Sequence, residues 1–495
     1  MEAGSGGNRG FWGWKWEHKR RIQQSKASRS SESASGGGGY RFHLKQAVTA
    51  GSLALTGDIV AQVTDRWRKK KPSKSLSFHD DASHNSNDSS VRSLVLPVTK
   101  DPATFQYLTT IYHGTSPEPV RVVLDLGCPS LWLDCSSGRL SSSRRRIPSC
   151  SIQCPAAKPN NMSCASSAAM PKRKCTACGL STENSITRSA TRGELVEDSL
   201  TVQSVDGSKS GPVTTVDHFL FSCAPGFLLN RLARGAQGML GLGRSRIALP
   251  SQLASKFGLQ RKFATCLSTD GLILFGEPGY DSIFGKEISR SLMYTPLLTS
   301  PDGSGSSQDY SINVKSIKIN GKRLSLRQKG IGGGTKISTT VPYTTLESSI
   351  YSSFIEAYKE AATNNYFLNM TLVAPVAPFG LCFSSKEVPS SMLLGPMVPA
   401  IDLVLQSEMV KWRVHGRNAM VPVLDEVMCL GFLDGGFKSK TSSSIVIGGF
   451  QLEDNLLEFN LGTSMLGFSS SLLTRHTSCS DYHAKMMQST LKDSL

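Results

Sequence analysis

The sequence predicts a mainly β protein built from two related lobes. Three observations carry this reading. Strand-forming apolar runs alternate with clusters of Gly, Pro, Ser and Thr along most of the 495 residues, the pattern of short strands and turns. A strand–turn–apolar unit occurs twice, as RVVLDLGCPSLWLDC at 121–135 and GGTKISTTVPYTTL at 333–346. Roughly 110 residues after each, an apolar pair runs into glycine, GMLGLG at 238–243 and IVIGG at 445–449. Glycine there lets one strand pass close behind another backbone. A chain of this length buries a large core and supports two or more domains.

Taken in order, residues 1–43 are Gly/Ser/Arg-rich with an aromatic cluster at Phe11, Trp12, Trp14 and Trp16, and read as low-complexity and disordered. Residues 44–71 form one helix candidate. Its apolar stretch, Ala47 to Val63, lies at the short limit for a membrane span and holds Asp58; Trp67, Arg68 and Lys69 to Lys71 flank it like an interface. It lies too far from the start and lacks the clean apolar core of a signal peptide. Residues 72–93 are a Ser/Asn/Asp linker, 94–300 the first lobe, 301–479 the second and 480–495 a tail, with the lobes joined near 295–315.

The formal charge is +17, and residues 1–75 hold 15 Lys and Arg against 5 Asp and Glu. No aromatic stacking module or zinc finger accompanies these charges, so they read as a solvated basic tail and not a nucleic-acid site. The body's remaining excess includes Arg144 to Arg146 and Lys172 to Lys174. It suits a secreted protein that dwells on acidic cell-wall polysaccharide. All twelve cysteines lie beyond residue 125, and six crowd irregularly between Cys135 and Cys178. That is the look of a disulfide-stapled loop in an oxidising compartment. Cys175 and Cys178 form a CxxC, but no second pair or paired histidine completes a zinc set, so no metal and no cofactor is expected. Sequons at Asn87, Asn161 and Asn369 agree with an extracellular body.

The chemistry turns on the repeated unit. Acid proteolysis needs two carboxylates sharing one proton, one taking a proton from water while the other polarises the peptide carbonyl. Asp125 supplies one, and Ser338 stands where the second belongs. A serine hydroxyl cannot share a proton in that way. Leu126 follows Asp125 where a hydroxyl residue would buttress the pair, and the flap region Glu183 to Gly193 contains no aromatic residue. Asp125 therefore reads as a hydrogen-bonded aspartate that holds its turn. Asp134 and Asp402 read as strand or turn structure, not as surrogate acids. Cys128 reads as a disulfide partner or stray thiol without a neighbouring histidine to activate it.

The body resembles the plant family of extracellular dermal glycoproteins, basic 7S globulins and xyloglucanase or xylanase inhibitors, an offshoot of the pepsins. The residues that carry this include LVLPVTKDPATFQYLTTIYHGT (94–115), LDLGCPSLWLDC (124–135), FLFSCAP (219–225), GMLGLGRSRIALPSQLAS (238–255), GGTKISTTVPYTTL and SSIVIGGFQLEDNLLEFNLGTSMLGFSSSLL (443–473). The resemblance implies a bilobal pepsin-like fold that is catalytically silent and binds a microbial glycoside hydrolase. It also implies a basic side chain just before the last cysteine, reaching the two acids of the glycosidase cleft. Here that is Arg475, with His476 beside it and Cys479 following. The second arginine that such inhibitors carry before a Gly-Pro is replaced, since Met392, Leu393 and Leu394 precede Gly395 and Pro396. Two other functions stay open: an aspartic-type endopeptidase, and a storage or ligand-binding globulin. Residues 44–71 resemble the opening of the first membrane helix in the small four-helix peroxisomal and mitochondrial membrane protein family. The remaining helices of that family are missing, so this piece reads as a chimeric fusion or a faulty gene model ahead of the body, an accident rather than a function.

Overall fold

The computed structural model describes residues 91–492 apart from 137–140, 159–174, 278–279, 299–307, 327–330, 332–333, 365–367 and 438–442. The helix expected at 44–71, residues 72–90 of the linker, Asn87, Asn161 and Lys172 to Lys174 lie outside the described residues, and Ser93 already begins the first strand, Ser93–Lys100.

One three-strand crossing occurs in each half of the chain. In the first, strand Glu118–Asp125 runs parallel to Gly238–Gly241, which pairs antiparallel with Trp132–Asp134. In the second, Thr335–Ile337 runs parallel to Ile445–Ile447, which pairs antiparallel with Thr344–Leu346. The registers place Asp125 beside Gly241 and Ile337 beside Ile447. Glycine is required by close approach: a Cβ on Gly238 would collide with the Trp132 carbonyl, and one on Gly448 with the backbone of Tyr343. The repeated apolar–apolar–glycine signal in the sequence is therefore a packing requirement.

Around these crossings the first half builds most of a 14-stranded sheet. Its longest members are Ser189–Asp206 and Lys209–Ala224, paired as one long hairpin with two register shifts. The second half builds a 5-stranded sheet on its own crossing and two 4-stranded sheets. One 4-stranded sheet carries Ile401–Ser407 beside Ser316–Ile319, and the other pairs Cys382–Ser384 with Val427–Leu430. Helix Ser348–Thr363 covers this lobe with Ile350, Phe354, Tyr358 and Ala362, a spacing of four that puts all of them on one face. Its first turn is capped by the Glu347 carboxylate, which accepts from Ser349 N and Ile350 N.

The halves are knitted together, not merely linked. The strands Leu456–Asn460 and Met465–Phe468, from the end of the chain, join the large sheet between Lys262–Cys266 and Met293–Pro296. Phe263 stacks on Phe459 across that seam with ring centroids 4.8 Å apart. Tyr107 Oη donates to Gly449 O at 3.0 Å and to Glu453 Oε1 at 2.8 Å, and Lys100 meets the same carboxylate at 2.6 Å. The segment read as a tail carries a helix, Cys479–Lys492, anchored by the Cys266–Cys479 disulfide and by buried Tyr482 and Met486. Among the described residues five disulfides are formed; besides that one they pair Cys135 with Cys223, Cys150 with Cys175, Cys154 with Cys178 and Cys382 with Cys429. Both thiols of the CxxC are thereby consumed, which closes the zinc alternative. No helix among the described residues is long and apolar enough to cross a membrane.

Candidate functional site

The two repeated turns meet where the lobes meet. Asp125 ends the strand Glu118–Asp125 and is only 3% exposed. Its Oδ1 accepts from Gly127 N at 2.8 Å, and its Oδ2 accepts from Ser185 Oγ at 2.6 Å. Ser185 lies in the turn joining Gly179–Asn184 to Ser189–Asp206, the hairpin that takes the flap position. That turn is stiffened by Asn184, fully buried, whose side chain donates to Leu228 O at 2.7 Å and accepts from Ile186 N at 2.9 Å. Burial raises the Asp125 carboxyl above its ordinary range, outweighing the Ser185 and Gly127 hydrogen bonds and the Lys336 charge that favour ionisation. The sequence shows the flap's lack of an aromatic residue; the tertiary structure puts a serine hydroxyl on the carboxylate instead.

Ser338 holds its own turn by a similar device. Its Oγ accepts from Thr340 N at 3.3 Å, two residues on, as Asp125 does from Gly127, and lies 3.2 Å from Thr340 Oγ1. The neighbouring Thr339 reaches across the lobes: Oγ1 donates to Leu124 O at 2.9 Å and accepts from Leu126 N at 3.3 Å. Leu126, fully buried, has no hydroxyl to return the bond. The cross-lobe grip is one-sided.

A residue that no sequence motif marked, Asp309, lies beside this pair of turns. The antiparallel pairing of Tyr310 with Ile337 brings Asp309 and Ser338 to the same end of the two strands. A Cβ on Gly127 would collide with Asp309 Oδ1 and lie 3.5 Å from Asp125 Oδ1, so both carboxylates crowd one glycine. Lys336 Nζ, two residues before Ser338, bonds Asp309 Oδ1 at 2.8 Å. The first-lobe acid thus has a carboxylate neighbour from the lobe junction, balanced by an ammonium from the second-lobe strand.

The other sequence candidates do not join this centre. Asp402 is clamped on its own sheet: Arg413 Nε and Nη2 reach its two oxygens at 2.6 and 2.9 Å, and Lys411 Nζ reaches Oδ2 at 3.0 Å. Burial alone would raise its pKa, but the Arg413 and Lys411 hydrogen bonds and charges win and hold it low. Asp134 binds the backbone N–H and hydroxyl of Ser136 in a local turn. Cys128 is a buried free thiol 3.1 Å from Ser130 O, and burial, reinforced by the Asp125 charge, pushes its pKa up. That environment makes it a poor nucleophile.

Arg475 ends the short turn Leu472–Arg475 and is exposed, as is His476. Its Nη1 stands 4.0 Å from Glu287 Oε2, with the Arg475 side chain half-exposed and that of Glu287 largely in solvent. The loop itself is fixed. Leu472 N donates to Asp454 O at 2.8 Å, Cys479 N donates to Asp454 Oδ1 at 3.0 Å, and Cys479 is disulfide-bonded. His476 closes the turn in a left-handed conformation, φ +55°. Asn369 is exposed. Arg145 and Arg146 form a short edge strand that Arg144 precedes, with Arg146 held 3.2 Å from Glu194.

Two lobes of related crossing, a shared floor of paired turns and a hairpin over one of them define a pepsin-like aspartic-protease homologue. The fold likeness extends to the solved structure of the aspartic proteinase from Irpex lacteus, at 15% identity and TM-score 0.50 over 78% of this chain and 99% of that one. Residues 107–277 match the family description "Xylanase inhibitor N-terminal" and residues 309–470 match "Xylanase inhibitor C-terminal". Among curated proteins, the "Probable aspartic proteinase GIP2" of Nicotiana benthamiana is 45% identical, covering 79% of this chain and 92% of the relative. Basic 7S globulin 2 of Glycine max is 35% identical over 80% and 92%. The crystal structure of "edgp" superposes with TM-score 0.71 at 46% identity, over 79% of this chain and 98% of that one. The chain belongs to the xylanase-inhibitor-type family of pepsin-like proteins that includes the basic 7S globulins.

Proposed function

We propose that this chain is a non-proteolytic extracellular binding protein that inhibits microbial cell-wall glycoside hydrolases, xyloglucanases or xylanases. The observation that carries the reading is Arg475, an exposed guanidinium on a loop pinned by Asp454 and the Cys266–Cys479 disulfide. A glycosidase cleft keeps two carboxyl groups at its base, which a preorganised guanidinium can bridge bidentately. Glu287, at 4.0 Å and mostly solvated, is a weak competitor for that cation. Serine at 338 removes the proton-sharing partner that proteolysis requires. The five disulfides support an extracellular setting.

The test is a titration of the full chain against a fungal xyloglucanase and a fungal xylanase, with Arg475→Ala and His476→Ala alongside. Stoichiometric inhibition that Arg475→Ala weakens by about a hundredfold, the scale of an interface hot spot, supports the reading. Inhibition of neither enzyme removes it. One observation favours the aspartic-type endopeptidase instead, the proximity of Asp309 to Asp125 around Gly127. Cleavage of denatured substrate at about pH 4, lost in both Asp125→Asn and Asp309→Asn, would establish that alternative.

A further inference from the structure

Part of the body's basic excess sits on a loop that is anchored from beneath. The loop 225–237 carries Arg231 and Arg234 and no acidic residue. It is fastened from beneath by Gln106, which is buried: Nε2 donates to Arg231 O at 2.7 Å, and Oε1 accepts from Ala233 N at 2.8 Å. Asn184 holds the other end through Leu228 O and Asn230 O. Ala233 and Ala236 are buried in the core below, so the loop cannot swing away. Arg121, on the adjoining strand, lays Nη1 against Arg234 O at 3.4 Å, and Gln237 N donates to Arg121 O at 2.9 Å.

Arg121, Arg231 and Arg234 are all exposed. Among the described residues, no carboxylate comes within 4.0 Å of any of the three. Other surface cations do have carboxylate partners, as Arg146 with Glu194 and Arg323 with Glu408. Phe227, on the same anchored loop, is 59% exposed. Three exposed arginines without a carboxylate partner, two of them on an anchored loop that also carries an exposed aromatic ring, suit a ligand that repeats a carboxylate along a chain of apolar-faced rings. Guanidinium forks match carboxylates bidentately, and the fixed loop lowers the ordering cost of binding.

We propose that Arg121, Arg231 and Arg234 form a binding surface for polyuronate chains, with Phe227 accepting a sugar ring face. This rests on the extracellular setting proposed above but not on glycosidase inhibition. Polyuronate is favoured over nucleic acid because the disulfide-stapled body belongs to an oxidising compartment.

The experiment measures binding of the full chain to oligogalacturonate, neutral xyloglucan oligosaccharide and single-stranded DNA of equal charge, at low and physiological salt. Wild type is compared with Arg121→Gln/Arg231→Gln/Arg234→Gln and with the control Arg144→Gln/Arg145→Gln/Arg146→Gln. Circular dichroism and thermal midpoints check that each variant is folded. The expected result is a loss of about tenfold or more in oligogalacturonate affinity for the first triple and about twofold or less for the control, with no xyloglucan binding. Phe227→Ala reduces affinity for oligogalacturonate but not for DNA. Equal losses in the two triples, or DNA binding as tight as oligogalacturonate, overturns the proposal. Because the glycosidase titration reads Arg475 and this one does not, either can fail while the other stands.

Discussion

Replacing Asp125 in two different ways separates its charge from its hydrogen bonds. The carboxylate is buried and accepts from Gly127 N at 2.8 Å and Ser185 Oγ at 2.6 Å. Burial raises its pKa, so at pH values between the unfolded and folded pKa the native protein holds a proton that the unfolded chain releases. Stability from this group is therefore complete below the unfolded pKa and is lost as pH rises through the folded one, at up to about 1.4 kcal/mol per pH unit. Asn keeps the shape and an acceptor for Gly127 N while removing the charge. Asp125→Asn should match wild type near pH 3 and exceed it at pH 7. Asp125→Ala removes the acceptor for both donors and opens a void, and should cost about 2–4 kcal/mol at either pH. Urea titrations at about pH 3, 5 and 7 measure the difference, provided the curves stay two-state. An Asn variant less stable than wild type at pH 7 would refute the reasoning, showing that Lys336 and the two donors stabilise an ionised carboxylate by more than burial costs.

Thr339→Val deletes both cross-lobe hydrogen bonds without changing side-chain size. It should cost about 1–3 kcal/mol and speed amide exchange at Leu126; unchanged exchange there would show that the grip contributes nothing. Asp402→Asn strips the charge that Arg413 and Lys411 both hold. With those cations partly solvated the loss at pH 7 should be about 1–2 kcal/mol. The lowered pKa makes the stabilisation present above the unfolded value and lost as pH falls through the folded one, so the gap between wild type and variant should close in acid. A gap that widens in acid would rule out this assignment.

Seen against the fold, the sequence already contained every feature that depends on local pattern. The two strand–turn units, the apolar pairs ending in glycine and the presence of Ser338 in the second turn are all local, because a close crossing needs glycine and a proton-sharing pair needs two acids. The cysteine-rich stretch signalled disulfides, but six thiols admit fifteen connectivities, and only the backbone pairing of Pro148 with Ala177 brought Cys150 to Cys175 and Cys154 to Cys178. The final helix was missed because residues 480–495 are polar overall, and its stability comes from burying Tyr482 and Met486 against distant strands.

Composition and short-range pattern determined the class, the lobes and the single aspartate of the repeated turns. Tertiary structure alone decided what surrounds Asp125 and which cations face solvent. Asp309 reaches Gly127 through the pairing that sets Tyr310 opposite Ile337, and Ser185 reaches Asp125 from 60 residues away through a hairpin. Gln106 supports Arg231 across 125 residues. Such neighbours share no spacing rule, since strand register, not distance along the chain, sets which side chains meet.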